Sequence, residues 1–88
     1  MWFIEDEAHA ELQSGQFETR REAVGELRRR ADLSWDTEPN LAPCASWRTC
    51  GRRYELIERD GAEEKSRELA LEISAAGVHW HLANWDSL

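Results

Sequence analysis

Proline and cysteine are scarce in this 88-residue chain: each occurs only twice, and all four residues lie between Trp35 and Tyr54. The rest of the chain therefore has no thiol for redox or metal chemistry and no proline to interrupt a helix or strand. This stretch, called the 35–54 segment below, also holds two of the five tryptophans and the only tyrosine. Unusual backbone or thiol chemistry is confined to it.

Long apolar runs are also missing. No stretch approaches the ~20 apolar residues of a membrane-spanning helix. The amino terminus, Met-Trp-Phe-Ile-Glu-Asp-Glu, lacks the positive region and the apolar run of a signal peptide. We therefore expect a cytoplasmic protein whose cysteines are reduced.

Basic residues are outnumbered, 11 against 18 acidic ones, and the net charge is −7. This argues against nucleic acids and anionic membranes as partners, because both require a basic surface. Glycine-rich phosphate loops and the G-x-S-x-G motif are absent. We expect another protein as the partner, and assembly with further copies of the chain stays open.

The length predicts a single domain, residues 1–88. A chain of this size buries only about 60–65% of its extended-chain surface, so its core is thin. The five tryptophans are therefore expected to help build the core.

The first 13 residues alternate between apolar and polar side chains, as in Trp2 and Ile4 against Glu5. This alternation predicts a half-buried strand. Asp6 breaks the pattern within a run of three acids, so we expect a bend that divides the strand in two. The alternative is a short helix over residues 6–13, because Glu, Ala and Leu favour helix.

The clearest element begins at Thr19. Thr19 and Glu22 stand in a capping box, in which each side chain bonds the backbone of the first turn. Val24, Leu27 and Ala31 continue as one apolar stripe, and three arginines occupy the last turn, where cations complement the helix dipole. These features predict a helix over residues 19–32.

Residues 53–59 are rich in strand formers and lie between glycine-containing breaks, so they predict a strand. A second helix is predicted from about Ala62, because Leu69, Ile73 and Ala76 repeat at helical spacing.

Gly77 is a candidate end for this second helix. Residues 78–82 then alternate and predict a final strand; the alternative continues the helix through Gly77. Residues 35–51 form a long ordered loop, because Pro39 and Pro43 exclude regular structure there. The predicted fold is α+β: a small sheet of two to four strands, two helices on one face and this Pro/Cys/Trp-containing loop.

Guanidinium and aromatic side chains are crowded at the end of the 35–54 segment. These are the residue types enriched at binding hot spots, namely Trp47, Arg48, Arg52, Arg53 and Tyr54. They predict a contact surface and a small non-enzymatic interaction module, with no catalytic residue assigned. The alternative is an internal network in which the arginines pair with Asp36, Glu38 or Glu55.

Cys44 and Cys50 support a second hypothesis, a metal or thiol site. With His79 and His81 they make a Cys₂His₂ set suited to zinc, although both spacings depart from the usual ones. On a strand the two histidines point the same way and can chelate one ion; on a helix they cannot. A disulfide and a catalytic thiol activated by nearby arginines are the other possibilities.

Overall fold

The computed structural model of the protein describes residues 1–43 and 51–82. Within these ranges the elements are β1 (Trp2–Asp6), a 3₁₀ helix (Glu7–His9), β2 (Glu11–Leu12), α1 (Arg20–Ala31), β3 (Arg52–Asp60), β4 (Glu63–Ser74) and β5 (Gly77–Trp80). The strands form one antiparallel sheet in the order β2-β1-β3-β4-β5, and α1 packs on one of its faces.

The amino-terminal strand bends at Asp6, as predicted. Asp6 ends β1 and caps the 3₁₀ helix, since its Oδ1 accepts from the Ala8 amide at 3.1 Å. Ala10 then takes a left-handed backbone conformation (φ 51°), which returns the chain as β2 alongside β1. The helix considered for residues 6–13 is reduced to this single 3₁₀ turn.

The predicted first helix is confirmed, including its cap. Thr19 Oγ1 accepts from the Glu22 amide at 3.1 Å, which satisfies one of the unpaired donors of the first turn. Ala23, Val24 and Leu27 bury one stripe of α1 against the sheet. At 12 residues, α1 is too short and too charged to cross a bilayer, and it is the only α-helix in the described ranges.

The predicted second helix is wrong, and so is the predicted sheet of two to four strands with two helices. The structure has five strands and one α-helix in its described part. The reason is the turn after β3: Asp60 pairs with Glu63, so Gly61 and Ala62 form a two-residue hairpin loop, with Gly61 at φ 62°. This turn returns the chain into β4.

Pairing with β3 therefore overrides the helical propensity of residues 62–76. Leu71 and Ile73 face α1, while Leu69 lies on the other face beyond a bulge. The strand predicted over residues 78–82 is present as β5, with His81 adding one more backbone bond to Ala70.

The core lies between α1 and the sheet. Its buried members are Ile4, Ala23, Val24, Leu27, Tyr54, Leu56, Ala70, Leu71, Ile73 and Leu82. Trp2, Trp35 and Trp80 pack half-buried at its margin, in the core-building role expected of tryptophan. Trp47 and Trp85 lie outside the described residues.

The opposite side of the sheet, called the open face below, carries no helix in the described part of the chain. Ile57 is nonetheless fully buried there, flanked in register by Phe3 of β1 and Arg67 of β4. The Arg67 guanidinium bonds three carboxylates, those of Glu5 at 3.0 Å, Glu55 at 2.6 Å and Glu64 at 2.8 Å. Ion-paired side chains thus cover the apolar centre of this face.

We expect Gly51→Ala to lower the free energy of unfolding by about 1–3 kcal/mol, because small-to-large changes in tight sites force the backbone apart. A Cβ at position 51 would lie 2.3 Å from the Ile73 carbonyl oxygen. Gly25→Ala is the control: a Cβ at position 25 meets nothing within 4 Å, and helix propensity predicts a gain of roughly 0.5–1 kcal/mol.

Urea denaturation of both variants measures these changes. Equal stability of Gly51→Ala and the unaltered protein would show that β3 and β4 do not approach as closely as described.

Candidate functional site

Asp6 belongs to a group of buried polar side chains, called the buried polar cluster below: Asp6, Gln13, Arg30, Asn40, Arg52 and Tyr54. The Asp6 carboxylate is 0% exposed and accepts from Arg52 Nη1 at 2.9 Å and from the Arg53 amide at 3.0 Å. His9 Nδ1 lies 2.5 Å from Asp6 Oδ2, the oxygen that Arg52 also bonds. His9 donates to this oxygen when its proton is on Nδ1.

Arg52 ties the start of β3 to three other parts of the chain. Its Nη1 also bonds Glu11 Oε1 at 2.9 Å, and its Nη2 donates to the Leu41 carbonyl at 2.8 Å. Desolvation opposes the charge of this 6%-exposed side chain, but the Asp6 and Glu11 carboxylates outweigh it and raise the pKa of Arg52. Its Nε is a buried donor without a hydrogen-bond partner.

Asn40 anchors the loop that follows α1. Its Nδ2 donates to the Arg30 carbonyl at 2.8 Å and to two loop carbonyls, of Leu33 and Ser34, at 3.3 Å. Its Oδ1 accepts from the Tyr54 hydroxyl at 2.9 Å. A fully buried amide therefore fixes residues 34–43 to α1 and to β3 although they form no regular structure.

Arg30 completes the cluster from the last turn of α1. It is 4% exposed; its Nε donates to Glu26 Oε2 at 2.6 Å and its Nη1 to Gln13 Oε1 at 3.0 Å. Its guanidinium carbon lies 5.0 Å from the centre of the Tyr54 ring, within cation–π range. The triple arginine at the helix end thus includes a core residue as well as cations at the dipole.

The predicted contact residues of β3 lie on two faces of the sheet. Tyr54 is 0% exposed and Arg52 is buried beside it on the α1 side, whereas Arg53 points to the open face. Arg53 bonds Glu7 at 3.0 Å and Glu72 at 3.5 Å. Of these three, only Arg53 is accessible to a partner.

Trp47 and Arg48 lie outside the described residues, so their part of the contact surface stays a prediction. The internal arginine network considered as the alternative exists for Arg52 and Arg53. Its acidic partners differ from those expected: Asp6 and Glu11 for Arg52, Glu7 and Glu72 for Arg53.

Four members of the cluster, Asp6, Gln13, Arg30 and Asn40, were not identified as functional from the sequence. Asp6 did leave a signal, because it breaks the apolar alternation of β1 at a position that faces α1. Asn40 left none, since an asparagine after proline is also common in ordinary turns.

A cleft of about 320 Å³ opens on the open-face side of this cluster. Its lining includes His9, Gly51, Arg53, Glu72 and Ser74. Polar groups in it are engaged with neighbours: Ser74 Oγ accepts from the Ala76 amide at 3.1 Å, and Glu72 is paired with Arg53. These contacts hold the side chains of Ser74 and Glu72 in fixed positions at the cleft.

His79 in β5 and His81 just after it lie on the same face of the sheet, as the strand hypothesis required. Their ring centres are 4.7 Å apart, and His81 Nε2 is 2.6 Å from Glu72 Oε2. Cys44 and Cys50 lie outside the described residues, so the zinc, disulfide and thiol hypotheses that use them stay predictions. Within residues 1–43 and 51–82, no three His, Cys, Asp or Glu side chains already converge as a metal site.

Comparison of the chain with known protein families, with curated proteins and with solved structures found no match.

We expect Asn40→Ala to lower the free energy of unfolding by at least about 2 kcal/mol, because it leaves several buried groups unpaired at roughly 1–3 kcal/mol each. Glu38→Ala is the control in the same loop, since Glu38 is exposed and surface changes usually stay within about 0.5 kcal/mol. Thermal or urea unfolding compares the two, and equal losses would contradict the anchoring role of Asn40.

Alkaline titration tests the burial of Tyr54. Desolvation raises the pKa of its hydroxyl above the usual value, although the charges of Arg30 and Arg52 act in the opposite direction. The raised pKa contributes stability that is fully present below the unfolded-state value of about 10 and is lost as pH rises through the folded-state value.

Tyrosinate absorbance reports Tyr54 alone, because it is the only tyrosine. We expect its ionisation to coincide with the loss of the circular-dichroism signal. Ionisation near pH 10 in a folded chain would contradict this burial.

Proposed function

We propose that the protein is a small non-enzymatic interaction module that binds another protein through the 35–54 segment, including Arg53. One observation carries the proposal: buried polar groups hold an irregular loop in place, and Leu41 is exposed on that loop. Loops positioned by a rigid scaffold are common binding elements.

The described half of the loop supports this reading. The Arg52 side chain donates to the Leu41 carbonyl of the loop. The Asn40 side chain donates to the carbonyls of residues 30, 33 and 34. Leu41 is 39% exposed, whereas the neighbouring Ala42 is 5% exposed. An apolar side chain is thus displayed from a fixed backbone, which lowers the conformational entropy lost on binding.

The chemistry of the surroundings indicates the kind of partner. The net charge of −7 disfavours nucleic acid and anionic membranes, so we propose a protein partner, and we keep the cytoplasm as the proposed location. Arg53 offers a half-exposed guanidinium beside the loop, and Trp47 and Arg48 add hot-spot residue types within it. A second copy of the chain is one possible partner, which sedimentation of the purified protein tests first.

An alanine scan with matched controls tests the proposal. The partner is isolated by co-purification, and its affinity for purified variants is then measured. We expect Leu41→Ala, Trp47→Ala, Arg48→Ala and Arg53→Ala to include at least two that weaken binding about tenfold or more, as hot-spot truncations do.

The controls remove similar groups elsewhere. Lys65→Ala removes a cation that is 47% exposed, against 46% for Arg53, at the other end of the β3–β4 hairpin. The two positions are more than about 20 Å apart along β4. Leu12→Ala removes an exposed leucine from β2. Full binding by all four variants, or equal losses of affinity in the two controls, would contradict the proposal.

A further inference from the structure

We propose that His79 and His81 form a chelating pair for a borderline divalent transition metal such as Zn²⁺, with Glu72 as the carboxylate that orients His81. The site uses neither cysteine and does not depend on the proposed interaction function. It lies on the open face, where β4 and β5 pair.

Strand geometry brings the two imidazoles together. His79 and His81 are two residues apart at the end of the sheet, so their side chains project to the same side. Their ring centres are 4.7 Å apart and the rings are tilted by 37°. Two nitrogens bound to one tetrahedral Zn²⁺ stand about 3.4 Å apart, given Zn–N bonds of roughly 2.0–2.1 Å. Two rings whose centres lie 4.7 Å apart can each turn one nitrogen to that spacing, because the nitrogens lie off the ring centres.

Glu72 sets the proton position on His81. Glu72 lies opposite His79 in the β4–β5 register, and its Oε2 is 2.6 Å from His81 Nε2. When Nε2 of the neutral imidazole donates to the ionised carboxylate, Nδ1 keeps the lone pair and is the nitrogen that binds metal. A metal-binding histidine that donates its other nitrogen to a carboxylate is the usual arrangement in zinc sites.

Neighbouring charges hold Glu72 in this role. Arg53 Nη1 lies 3.5 Å from Glu72 Oε1, and Arg53 is also paired with Glu7 at 3.0 Å. Glu72 is therefore fixed from one side by Arg53 and directed to His81 on the other. The protein supplies two imidazole ligands, the type that suits zinc, copper and nickel, and water fills the other coordination positions.

Isothermal titration of the reduced, full-length protein with ZnCl₂ tests the site. We expect one Zn²⁺ per chain, with His79→Asn and His81→Asn each weakening binding at least tenfold. Glu72→Gln weakens it by roughly 10–100-fold, as loss of an orienting carboxylate does. His9→Asn, which alters the third histidine, and the double variant Cys44→Ser/Cys50→Ser leave the affinity unchanged.

Imidazole ¹⁵N spectra give a second readout: Zn²⁺ shifts the nitrogen signals of His79 and His81 and leaves those of His9 in place. The proposal is overturned if the unaltered protein binds no Zn²⁺. It is equally overturned if the double cysteine variant loses as much affinity as the histidine variants, which would indicate a Cys₂His₂ site instead, or if the shifts fall on His9.

Discussion

The buried ion pair between Asp6 and Arg52 is the interaction on which the other contacts of the site depend. It joins the end of β1 to the start of β3, and neither side chain has appreciable contact with solvent. Removing one partner of such a pair typically costs about 3–5 kcal/mol, because the other charge is left buried. A small domain has only about 5–15 kcal/mol of stability in total, so this one contact constrains the whole fold.

The remaining polar contacts are arranged around that pair. Arg52 holds the loop at Leu41, and Asn40 holds it at the end of α1 and at Tyr54. The guanidinium of Arg30 lies over the Tyr54 ring. Directional hydrogen bonds, as well as the thin apolar core, therefore position α1 and the loop. Directional bonds fix one arrangement, which is the property that a displayed loop requires.

Local signals in the sequence predicted the elements that depend on local physics. The cap at Thr19 and the break at Asp6 are examples, because each is a contact within a few residues. The prediction of a second helix was wrong because residues 63–74 pair with β3 as a strand. Such pairing depends on two segments of the chain, so the sequence of one segment does not reveal it.

For the candidate site, clustering of residue types singled out Arg52, Arg53 and Tyr54 but did not show that they lie on two faces of the sheet. The alternation in β3 places Arg52 and Tyr54 on the face of Leu56, which the residue types alone did not reveal.

The open face has a further consequence. Ile57 is shielded there by arginines and glutamates such as Arg67 and Glu55, instead of by a helix. Dissolved ions screen such exposed pairs but leave apolar burial under α1 intact. The two sides of one sheet therefore respond to different properties of the solvent, one to ionic strength and the other to temperature and denaturant.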